Sequence, residues 1–169
     1  MATAVDDRQV DLAWDAVDGL GSLVRSLRAE QDLLVELQAQ LVEQRAGLAV
    51  NDTALLEQVV QQIGRTLLTI REARRQRTVL VELIGGQGAT TLSEVAAQLP
   101  GSVADPFRAI CRELHAVALM ASQELQVNQL ALRQAIRLGE QFLQRLLTTP
   151  GTMTPDPEAE RGMLLNERA

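Results

Sequence analysis

Lysine and tyrosine are both absent from the 169 residues, and all sixteen basic side chains are arginine. Without lysine there is no Schiff-base chemistry and no phosphate-loop ammonium. Aromatic residues make up only 2% of the chain, as one Trp and two Phe. A core of Leu, Val, Ile and Ala with so few rings suits close helix–helix seams. Sandwiches and barrels, whose strands favour aromatic and β-branched residues, fit poorly. One cysteine, Cys111, excludes an internal disulfide framework and fits a reducing compartment. No apolar run approaches the roughly 20 residues that span a bilayer, so no membrane insertion is expected. The first seven residues have no basic region followed by an apolar run, so no secretion signal is expected either. The net charge of −6 argues against nucleic acid, whose phosphates demand a concentrated basic surface. These absences together predict a soluble cytoplasmic protein.

Leucine and its relatives supply the organisation instead. Leu20, Leu23, Leu27, Leu34, Leu37, Leu41 and Leu48 recur at helical spacing. After a short polar break at Asn51-Asp52 the rhythm resumes with Leu56, Val60, Ile63, Leu67, Ile70, Val81 and Ile84. Two apolar stripes joined by a tight break must fold onto each other, so the pattern predicts a long antiparallel hairpin. The first helix is expected from near Asp7 to about Ala49, weakened at Gly19 and Gly21. The second is expected from Thr53 to about Ile84, capped by Asn51 or Asp52 and stopped by Gly85-Gly86. Thr91-Leu-Ser-Glu94 is a capping box for a short helix, Leu92 to Leu99, ended by Pro100-Gly101. Asp105 as cap and Pro106 as first helical residue are expected to open the last long helix, running to about Leu147. The predicted fold class is therefore all-α. A helical hairpin plus a third long helix form a coiled-coil-like three-helix bundle over residues 1–149, with one short connecting helix and a flexible tail over 150–169.

Few residues invite a chemical reading. Gly85-Gly-Gln-Gly-Ala-Thr-Thr91 is no phosphate loop, because it follows a helix and has no lysine. Cys111 and His115 stand at i, i+4 on one helix face, but no further His or Cys exists to complete a metal site. No catalytic residue, metal or cofactor is expected. Arg74 and Arg77 fall where the second stripe would continue, so either the seam opens there or they meet acids of a neighbouring helix. Asn128 interrupts the stripe of the last helix, which comprises Phe107, Ile110, Leu114, Val117, Ala121, Leu125, Leu132, Ala135, Leu143 and Leu146. A buried Asn in such a seam fixes register through a hydrogen-bonded counterpart. A second apolar set, Leu119, Met120, Val127, Leu130 and Leu138, falls on the opposite side, so this helix is either buried on two sides or equipped with a spare face for a partner. Trp14 reads as a core or rim anchor, with a partner contact as the alternative.

Taken in order, these features resemble the FlgN-like flagellar export chaperones over about residues 20–147, and more loosely in the tail. The resemblance rests on Leu41-Val-Glu-Gln-Arg45, the Asn51-Asp52 break with Leu55-Leu56, Arg74-Arg-Gln-Arg77, Thr91-Leu-Ser-Glu94 and Asn128-Gln-Leu130. It implies a non-enzymatic, cytoplasmic chaperone of flagellar type III export. Such a protein binds the C-terminal helices of hook–filament junction proteins and delivers them to the export gate. In that role Val127, Leu130 and Leu138 are expected to contact the client, with Phe142 at the edge of the patch. Met163-Leu164-Leu165 at the end of the tail either dock back onto the bundle or contact the partner, in the second case folding over the client as a clamp. The alternative is a coiled-coil adaptor, or another secretion chaperone built on the same hairpin.

Overall fold

The computed structural model describes residues 19–85 and 91–148, and among them there are four helices and no strand. Helix α1 spans Leu20–Val50, α2 Thr53–Gly85, α3 Leu92–Gln98 and α4 Gly101–Thr148. The chain falls into two compact units, Met1–Leu132 and Arg133–Ala169.

In the first unit the hairpin closes as the polar break requires. Asn51 adopts the left-handed conformation, φ 57°, and its amide donates to the Leu48 carbonyl at 3.3 Å. Asp52 N–H reaches back to the Gly47 carbonyl at 3.0 Å, so two carbonyls at the end of α1 are satisfied. Asn51 therefore closes α1 and does not cap α2. That role belongs to Asp52, whose Oδ1 accepts from the Leu55 amide at 3.0 Å. Gly47 lets the two helices approach here, since a Cβ would sit 3.2 Å from Leu56 Cδ2.

Along α1 one run of buried positions advances by alternating threes and fours, Leu20, Leu23, Leu27, Glu30, Leu34, Leu37, Leu41 and Gln44, with Gly21, Val24, Gln40 and Gly47 buried beside it. Such a 3-4 repeat keeps one seam along the whole helix, and both neighbours share it: Glu30 meets α2 and Gln44 meets α4. The α2 seam has the same repeat, and Ile70 and Val81 are buried as expected, but at two positions the inward residue is the neighbour of the expected one. Val59 and Thr66 are buried, whereas Val60 and Leu67 are 52% and 43% exposed. The exchange follows from a polar layer. Thr66 Oγ1 accepts from Gln40 Nε2 at 3.0 Å, and Gln40 also donates to Glu36 Oε1 at 2.9 Å. With Thr66 turned inward to satisfy Gln40, its neighbour Leu67 must point outward.

Farther along, Glu30 is 2% exposed and accepts from Arg74 Nε at 3.0 Å and Arg77 Nη1 at 2.5 Å. The arginines that interrupt the α2 stripe thus meet an acid of the facing helix. A buried carboxylate is tolerable there because two guanidinium groups occupy both of its oxygens.

The capping box forms as expected: Glu94 N–H donates to Thr91 Oγ1 at 3.3 Å and Thr91 N–H to Glu94 Oε2 at 2.9 Å. Leu99, preceding Pro100, is extended and ends α3. The start of α4 corrects the expectation. The Pro100 carbonyl accepts from Val103 and Ala104, so the helix opens at Gly101 and Pro106 lies inside it. Proline there removes only the bond to the Ser102 carbonyl, which is on an exposed residue and can turn to water. Phe107, Ile110, Leu114, Val117 and Ala121 then join the α1 leucines in one core. Asn128 is buried and its Nδ2 donates to Gln44 Oε1, a register-fixing pair between α4 and α1. Arg45 and Glu124 add an ion pair on the flank.

The second unit, over its described residues 133–148, is the remaining length of α4. Every residue in it is exposed. Ala135, Leu143 and Leu146, assigned to the core by their spacing, are therefore not core residues. The expected helix from Asp7, Trp14 and the 150–169 tail lie outside the described residues. Helix α1 begins only after Gly19, which stands at φ 81°.

Candidate partner-binding surface

A helix of the protein interior has its apolar side chains covered; in residues 133–148 none is. Ile136, Leu138, Phe142, Leu143, Leu146 and Leu147 are all large and exposed, Leu147 to 84%. At about 100° per residue they occupy one continuous half of the helix circumference. Arg133, Arg137, Glu140, Gln141, Gln144 and Arg145 occupy the other half. The segment is amphipathic, and its polar half is the solvated one by composition. Burying six such side chains is worth on the order of 10 kcal/mol gross. Association itself costs about 4–15 kcal/mol. The face is thus suited to a reversible complex with another amphipathic helix.

In the first unit, Leu119, Met120, Val127 and Leu130 are exposed on the side of α4 opposite Val117, Ala121 and Asn128. Val127 and Leu130 stand at i, i+3 and share a face. The same holds in the second unit for Leu138 and Phe142 at i, i+4. The four residues singled out by sequence are therefore solvent-facing, as two pairs in two units. Met163, Leu164 and Leu165 lie outside the described residues.

Sequence spacing missed Ile136 and Leu147 and misplaced Leu143 and Leu146. A signal for them exists. Up to Leu132 the stripe takes single residues three or four apart, whereas afterwards Ala135-Ile136, Phe142-Leu143 and Leu146-Leu147 come as adjacent pairs. Adjacent pairs widen a stripe into half a helix, more than the narrow seam of a hairpin can cover.

The Cys111–His115 pair does no comparable work. Cys111 is half-buried, and that burial pushes its thiol above the ordinary value, with Arg77 pulling in the opposite direction. A thiol so held stays protonated and is a poor nucleophile. Among the described residues no three His, Cys, Asp or Glu side chains are grouped to hold a metal. None of the described helices is long and apolar enough to cross a membrane.

The model of the family described as FlgN protein matches residues 19–157, well over half of the chain. No curated protein and no solved structure gives a match.

Proposed function

The chain belongs to the FlgN family of flagellar export chaperones, a non-enzymatic family, and from that premise we propose that it holds the C-terminal helical regions of hook–filament junction proteins in the cytoplasm. It keeps those regions from assembling early and hands them to the export gate of the type III system. The observation that carries this reading is the uncovered apolar half of residues 133–148.

The physical mechanism is helix pairing. A junction protein's terminal helix is amphipathic because it packs into a polymer, and before export its apolar face has no partner. Laying that face against Ile136, Phe142, Leu143 and Leu146 buries both surfaces at once. Occupancy also blocks self-assembly, because the client's apolar face cannot be in two contacts together. Val127 and Leu130 offer a second contact for the same client, and Met163-Leu164-Leu165 close over it as a clamp. Release at the gate needs no covalent step, since no bond beyond packing holds the helix.

The test is calorimetric titration of the full chain with a junction protein's C-terminal helical peptide. Changing Phe142 and Leu146 together to Ser should weaken binding by about 2 kcal/mol or more, roughly thirtyfold in Kd, with an unchanged melting temperature. Undiminished affinity in that variant would place the client elsewhere.

A further inference from the structure

Between α2, α3 and α4 of the first unit lies an open groove of about 930 Å³ that the chaperone reading leaves unused. Arg74, Arg77, Arg108 and Arg112 line it, and among the described residues the only acid lining it is Glu30. Glu30 balances one of the two arginines bound to it, and Arg108 is engaged by Asp105. Arg112 is exposed with no ion pair among the described residues. The groove is thus a cationic island in a protein of net charge −6. Its floor is apolar, formed by Val81, Leu92 and Leu114. An arginine rim over an apolar floor fits a peptide that carries carboxylates beside apolar side chains, because guanidinium pairs carboxylate in a fork.

The chain itself carries such a peptide. Residues 1–18 contain five aspartates and one arginine. Asp7, Asp11, Asp15 and Asp18 recur at helical spacing, and so do Val10, Trp14 and Val17. On one helix the two rows lie side by side, an acidic stripe flanking an apolar one. The tether is also in place. Gly19 packs against Ile84, where an added Cβ would meet Ile84 Cγ1 at 3.3 Å. Ile84 stands one turn beyond Val81 of the groove floor. As a helix, eighteen residues reach about 27 Å, while Ile84 to Arg74 along α2 is only about 15 Å.

We propose that the groove between α2, α3 and α4 is the docking site of the chain's own acidic segment, residues 1–18, with the aspartate row on the arginines and Trp14 on the apolar floor. The segment straps the open end of the hairpin to α3 and α4. This does not depend on the partner surface of residues 133–148.

Two single residues make the strap measurable in the full chain. Trp14 is the only Trp and lies in the segment; Cys111 is the only Cys and lines the groove. Trp14 emission reports shielding of the segment, and the alkylation rate of Cys111 by iodoacetamide, at a pH where the thiol is fully ionised, reports cover of the groove. In low salt the unmodified chain should show shielded Trp14 and slow Cys111. About 1 M NaCl, where the screening length is near 3 Å, should expose both together. Arg112→Glu, and separately Asn in place of all five aspartates, should do the same in low salt. A strap closed about 90% of the time gives a rise of roughly tenfold in Cys111 rate on release. A solvent-like Trp14 or a fast Cys111 in the unmodified chain overturns the proposal. So does a slow Cys111 indifferent to the aspartate substitutions, which would mean that another segment covers the groove. The salt titration needs no variant and stands even if a substitution perturbs folding.

Discussion

Residues 107–128 and residues 133–148 of α4 are both amphipathic, and their apolar sides meet opposite fates. In the first stretch Phe107, Ile110, Leu114, Val117 and Ala121 are buried with the α1 leucines, and Asn128 finds Gln44. In the second, six large apolar side chains face solvent. Periodicity describes only how a helix divides its surface; whether the apolar side is covered depends on what else the chain supplies. The width of the stripe separates the two cases. A narrow 3-4 seam matches a single neighbouring helix, whereas a half-circumference face is too broad for one seam and suits a helix arriving from another molecule.

The contrast makes quantitative demands. The largest effect should come from Phe107→Ala, which empties a fully buried site in the first stretch and should cost about 3–5 kcal/mol in urea unfolding. A loss below 1 kcal/mol would show that the α4 core contributes little. Next, Glu30→Ala leaves Arg77 facing an apolar seam without its acid. About 3 kcal/mol is expected, at the low end for a broken buried pair because Arg74 is half exposed and can turn to water. Thr66→Val removes one of the two acceptors of Gln40 Nε2 and should cost about 1–2 kcal/mol. Leu67→Asp, one residue along, should stay within about 1 kcal/mol because Leu67 faces outward. If the Leu67 change proves the costlier of the two, the α2 phase is wrong. The smallest effect belongs to the second stretch: Leu146→Ser with Leu147→Ser should change unfolding stability by ~0.5 kcal/mol or less and leave the melting temperature nearly unmoved.

Much of the fold was legible because leucine spacing, turn chemistry and capping agreed with one another. The hairpin turn, the Thr91–Glu94 box and the register role of Asn128 each follow from local chemistry that needs no knowledge of the partner. Failures occurred where two adjacent residues were both plausible. Thr66 and Leu67 differ by 100° around α2, and hydrophobicity alone favours Leu67; only the facing Gln40 makes Thr66 the inward choice. Asp105-Pro106 is a good helix start, but the Pro100 carbonyl accepts from the Val103 and Ala104 amides and starts the helix earlier. At Leu143 and Leu146 the spacing was correct and the inference of burial was not. A stripe records the readiness of a face to be covered, and whether the rest of the chain covers it is decided elsewhere in the sequence.

Amide hydrogen exchange across residues 133–148 of the full chain, with and without a junction protein's C-terminal helical peptide, decides whether the uncovered face is where the client binds. In the free protein this stretch should exchange much faster than residues 107–128, because its apolar face has no cover among the described residues. Adding the peptide should slow it strongly while leaving residues 107–128 unchanged. If saturating peptide leaves exchange at 133–148 untouched, or protects only the core stretch, the uncovered face is not where the client binds and the account fails.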